Sequence, residues 1–220
     1  MAVPEPLMSP VITIGRRGRP PAWLLWICVT ILGAVLASLV AWRLRSADPH
    51  SASAQQVVAF IVAVETELLI SAGQWLVLRR YRMEADWWIP ASVAANVAAA
   101  FIIVPPIISL AIATGAIRPI SVDGGLSFGI LSAAASGLVI ATAQALVLRG
   151  SAGKLVWAWI PATMVGGVLA VVVTNALSVV LIDAIIGSGK PFAVLIGVLT
   201  AIGALAASVC QSPVMVRLLR

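Results

Sequence analysis

Two glutamates, Glu65 and Glu67, stand inside the stretch AVETELLISAGQ (63–74), in the middle of an otherwise apolar run. A carboxyl group in such a place can carry a proton, hold a cation or answer the charge of a neighbour. In a bilayer an ionised side chain costs at least about 2.5 kcal/mol. Two residues are about 200° apart around a helix, so the pair cannot share a face. Glu67 lines up with Ser71 and Gln74 on a polar stripe, while Glu65 faces the other way with Leu68 and Leu69. No Lys or Arg lies at matching depth, so Glu67 is expected to be protonated, or paired with a cation or a second subunit. Three readings stand side by side for the two acids. They are neutral groups bonded inside the bundle, to Asn96 or Asn175; or part of a proton or cation path; or contacts to a partner subunit or bound cofactor.

Amides supply the other polar groups in apolar surroundings. Gln74, Gln144 and Gln211 recur in QWLVLR (74–79), QALVLR (144–149) and QSPVMVR (211–217), the last with an extra residue and Pro213. With Asn96, Asn175, Glu65 and Glu67 they form the candidate intramembrane polar site. Bonding across helices is the simplest role for an amide at such depth; lining a cavity is the alternative.

The elements that must position these groups follow from composition. The chain is 61% hydrophobic and 10% charged, with a mean hydropathy of +1.09. Soluble domains carry about 25% charged residues. Apolar runs long enough to cross a bilayer fall at about 22–42, 56–78, 87–114, 126–148, 156–183 and 191–216. Barrel strands need only about 9–11 alternating residues, so these runs predict an all-α membrane protein with six transmembrane helices. Residues 1–21 form a short basic tail ahead of a single domain over 22–220. The first run exceeds a signal-peptide core and is expected to be retained as a span.

The runs are related. WICVTILGAVLA (26–37), WIPASVAANVAA (88–99) and WIPATMVGGVLA (159–170) align without gaps, and each precedes a second helix ending in the Gln motif. Self-similarity of this kind predicts three tandem hairpins, at about 22–79, 87–149 and 156–217. Each unit holds two spans, so the copies are parallel, which disfavours an inverted-repeat transporter. Trp26, Trp88 and Trp159 are expected at the membrane interface, with Pro90 and Pro161 in the first helical turn. Thr30, Ser92 and Thr163 follow one turn deeper. Gly33, Gly166 and Gly167 are the small residues expected to bring helix backbones together.

The GQWLVLRR…WWIPAS block (73–92) resembles a pattern in uncharacterised bacterial multispanning proteins, in which G-x-x-Q-W-x-V-L-R is followed by W-W-I-x-A. Echoes occur at 143–163 and a weaker match at 211–217. The resemblance implies a bacterial membrane protein and no particular activity.

Ten of the fourteen basic residues fall on one side: Arg16, Arg17, Arg19, Arg79, Arg80, Arg82, Arg149, Lys154, Arg217 and Arg220. By the positive-inside rule both termini are cytoplasmic, in a bacterial inner (plasma) membrane. That distribution, rather than nucleic-acid binding, accounts for the net charge of +6. Trp23, Trp75, Trp87 and Trp157 are expected at the same interface, and Cys28 and Cys210 as small buried apolar residues. His50 falls in an outer loop, and Pro105-Pro106 should disturb the third span.

No nucleophile–base set, H-E-x-x-H, cysteine ligand pair or phosphate-cradling glycine loop occurs, so neither a catalytic site, a metal nor a cofactor is read. The leading expectation is a structural or accessory membrane subunit packing on lipid, on partner subunits or on itself. The alternative is a small transporter or channel for a proton, cation or small solute, using Glu67 and the repeated Gln residues.

Overall fold

The structure is a computed structural model that describes residues 21–47, 52–81, 83, 85–117, 122–186 and 191–219. Within these, every regular element is helical. In chain order they are α1 (Ala22–Ala47), α2 (Ala52–Arg80), α3 (Trp88–Ala98), a π-helical segment (Ala99–Ile103), α4 (Val104–Ala113), α5 (Val122–Ala152), a 3-10 turn (Gly153–Ala158), α6 (Trp159–Ile186) and α7 (Phe192–Leu218). Five stretches are long and apolar enough to cross a membrane, one of them the 58-residue Gly125–Ile182. That stretch is α5, the 3-10 turn and α6. The last two helices of the stretch pack side by side, so the chain reverses at Gly153, whose φ of 59° suits a residue without Cβ. His50, Arg118, Lys190 and nearly all of the 1–21 tail lie outside the described residues.

Helix ends and irregularities have local causes. Pro105 and Pro106 are the second and third residues of α4, in a helix that runs on from the π segment, so neither offers an N–H to the carbonyls of Phe101 and Ile102 one turn back. Just before them the helix widens into π geometry, and the Val104 N–H reaches back five residues to Ala99 O. The expected disturbance of the third span is therefore a π-bulge. In α7, Pro213 takes an N–H away from the carbonyl of Val209, and the Ser212 hydroxyl donates to that carbonyl instead, at 2.9 Å.

The helices form a closed ring. α1 packs on α2, α2 on α3, α3 on α5, α5 on α6, α6 on α7, and α7 returns to α1. Small residues set the closest approaches. A Cβ on Gly33 would lie 3.0 Å from the Ile70 backbone, and one on Gly166 would lie 2.8 Å from Ala207 O. A Cβ on Gly137 would lie 3.2 Å from Met164 Cα, and one on Gly167 would lie 3.5 Å from Ala133 O, an ordinary contact. Gly33, Gly137 and Gly166 therefore set helix spacing, which a larger side chain would increase.

Two stripes run inward. On α1, Trp26, Thr30, Gly33 and Ala37 follow one another at four, three and four residues; Trp88, Ser92, Ala95 and Ala99 repeat that spacing on α3 and into the π segment, as do Trp159, Thr163, Gly166 and Ala170 on α6. On α2 the stripe reads Glu67, Ser71, Gln74 and Leu78; on α5 Gly137, Ala141, Gln144 and Leu148; on α7 Ala204, Ser208, Gln211 and Met215. All but three of these residues are buried; Thr163, Ala170 and Ala204 are partly so. The spacing is that of a single helical face. Met215 holds the place of Leu78 and Leu148, so the extra residue near the chain's end falls after the packing stripe.

Candidate functional site

The three stripes that begin with tryptophan meet at one end of the ring. Trp26, Trp88 and Trp159 are fully buried there, edge to face against one another, with ring centroids 5.4 Å (Trp26–Trp159), 6.0 Å (Trp26–Trp88) and 6.2 Å (Trp88–Trp159) apart. Each such pair contributes about 0.5–1.5 kcal/mol beyond the area it buries. The expectation of interface anchors is corrected for these three. Their indoles are the core of this end, while Trp23, Trp87 and Trp157 are the exposed ones. Spacing carried the missed signal, because each of the three buried residues begins the inward stripe of its helix.

Around the indoles runs a ring of glutamines, each placed to bridge two partners. Gln144 Nε2 donates to Ser92 Oγ at 2.9 Å, and its Oε1 accepts from Trp159 Nε1 at 2.9 Å. Gln211 Nε2 donates to Thr163 Oγ1 at 3.3 Å, and its Oε1 accepts from Trp26 Nε1 at 3.1 Å. Gln74 Nε2 donates to Thr30 Oγ1 at 3.2 Å. The amides of α2, α5 and α7 thus grip the hydroxyls of α1, α3 and α6, and those of α5 and α7 also grip the indoles of α6 and α1. The third link is missing: Gln74 Oε1 and Trp88 Nε1 are both buried and have no partner. A buried N–H or C=O without a partner costs about 1–3 kcal/mol.

The acids lie toward the middle of α2. Glu67 is 8% exposed, on the inward stripe with Ser71 and Gln74 as expected, and it carries no hydrogen bond among the described residues. Glu65 is partly buried on a different face, and both of its carboxyl oxygens are covered without a partner. Neither Asn takes up a glutamate. The Asn96 amide donates to the Ala63 carbonyl across α2 and α3, at 2.8 Å. Asn175 is exposed, beside Thr174 and Ser178 on the wall of a cavity of about 670 Å³ that α6 shares with α7, α1 and Ile70 of α2.

That cavity begins one turn above the indoles, at Thr30, and includes Ala204, which stands where α2 has Glu67. Its hydroxyls are largely spent locally: Thr174 donates to Ala170 O at 2.7 Å and Ser178 to Asn175 O at 2.7 Å. The wall is therefore mainly methyl and backbone, with one amide at its rim. Gln74, Gln144 and Gln211 do not line it.

Cys28 is exposed and Cys210 partly so, and both are free thiols; the expectation of two buried cysteines is corrected. Arg79 lies over the ring of Trp75, 5.1 Å from its centroid, a cation–π contact at the end of α2. Comparison with protein-family models, curated proteins and solved structures returns no match for this chain.

Proposed function

We propose that the chain is a non-enzymatic structural or accessory subunit of the bacterial plasma membrane. In this reading α1, α2, α3–α4, α5, α6 and α7 are six spans, arranged as three parallel hairpins with both termini cytoplasmic. It belongs with the bacterial multispanning proteins that its GQWLVLRR…WWIPAS block resembles.

One observation carries the reading: each of the repeated glutamines bonds within the ring itself. Three buried indoles fill one end of the axis, and Gln74, Gln144 and Gln211 are each bound to a neighbouring helix. A solute path along the axis would have to displace them. The outside offers the complementary surface, with Leu32, Val57, Ile102, Leu110, Val179 and Val180 all more than half exposed. Faces of this kind suit lipid or the helices of a partner.

A second reading, a small transporter or channel, draws on Glu67, since an intramembrane ionisable group is a candidate functional residue by default. The cavity beside α6 and α7 supports it too. Purification from native membranes in mild detergent, with mass identification, tests the first reading. A stoichiometric membrane partner or a defined homo-oligomer is expected; a monodisperse monomer with no companion contradicts it.

A further inference from the structure

The three seams between hairpins are built on the same positions but not of the same residues. At the seam of α5 and α6, Gly137 lies against Met164 Cα and Gly167 against Ala133 O, and the indole of Trp159 reaches Gln144 at 2.9 Å. At the seam of α2 and α3 the same positions hold larger groups. Glu67 stands where Gly137 does, seven residues before the glutamine, and Asn96 stands where Gly167 does, eight residues after the tryptophan. Ala133 O, the carbonyl that a Cβ on Gly167 would meet, corresponds to Ala63 O, eleven residues before the glutamine in each case. Asn96 Nδ2 donates to Ala63 O at 2.8 Å.

The consequences continue toward the indole end. Trp88 is farther from both other indoles than they are from each other. Gln74 Oε1 and Trp88 Nε1, the pair that would form the third link, are the two ring groups left without partners. α2 also packs less extensively on α3 than α5 does on α6 or α7 on α1. The π-bulge lies in this same third span, the kind of helix irregularity often found at functional sites.

We propose that the α2–α3 seam is the gate of the ring, the one seam built to part, with Glu67 as the spacer that holds it ajar and Asn96 as the tether that limits it. Volume, rather than charge, is what Glu67 contributes.

The test uses full-length protein with ¹⁵N-labelled indoles in nanodiscs, each signal assigned by a single Trp→Phe substitution. The Trp88 indole proton is expected upfield of those of Trp26 and Trp159, and to exchange with D₂O at least about tenfold faster, as expected for a locally opening site. Glu67→Ala, which installs the residue found at 204, should shift the Trp88 signal to join the other two and slow its exchange. Glu67→Gln keeps the size and should leave the signal where it is. A wild-type Trp88 signal already coincident with the other two overturns the proposal, whether or not the variants fold. So does a Glu67→Gln spectrum that matches Glu67→Ala, or one in which neither variant moves Trp88.

Discussion

Trp26 Nε1 donates to Gln211 Oε1 at 3.1 Å, across 185 residues of sequence. This bond ties α1 to α7, the two helices whose packing closes the ring.

Removing that donor should be costly where removing its counterpart is not. Trp26→Phe and Trp159→Phe each leave a buried glutamine oxygen without a donor, at about 1–3 kcal/mol. Trp88→Phe removes an N–H that has no partner and should lose far less. Thermal unfolding of the three variants in one detergent checks the order; equal losses would contradict the bonding pattern.

Helix spacing at α6 and α7 should tolerate no added carbon at Gly166. A Cβ there would lie 2.8 Å from Ala207 O, so Gly166→Ala should destabilise by about 1–3 kcal/mol. Gly150 has nothing within 4 Å of the same position, and Gly150→Ala should be neutral or stabilising by up to about 1 kcal/mol. Unfolding in mixed micelles, titrated with SDS, compares the two.

Ser212 should matter only because Pro213 follows it. Ser212→Ala orphans the Val209 carbonyl and should cost about 0.6–2 kcal/mol. With Pro213→Ala the backbone N–H returns, and the same change should become nearly silent. A double-mutant cycle measures the coupling, and additive effects would show that the hydroxyl does not replace the missing bond.

The proposed topology rests on the basic residues. If Arg79, Arg80, Arg149 and Arg217 hold their side in the cytoplasm, a C-terminal fluorescent-protein fusion should fluoresce and an alkaline phosphatase fusion should be inactive. The opposite pair of results would reverse the assignment.

The helices were legible because apolar runs and Gly, Pro and Trp punctuation are local signals. Gln74 and Thr30, or Gln144 and Ser92, could be expected at matching depth because the repeat gave both partners. The burial of Trp26, Trp88 and Trp159 was not legible, since an indole at a helix start suits the interface and the core equally. Only the register of Trp26 with Thr30, Gly33 and Ala37 separates the two. Glu67 was singled out as a break in the repeat, but its neighbours depend on how α2 meets α3, a relation no single helix encodes. The exposure of Cys28 belongs to the same class, because a small apolar residue suits either side of a helix in a membrane.

Flux through liposomes bears on the whole reading. Purified protein reconstituted at high density should leave proton and potassium permeability indistinguishable from protein-free vesicles, because the indole triad closes the ring. A wild-type flux above that background, lost in Glu67→Gln, would contradict the structural role and establish a transport path.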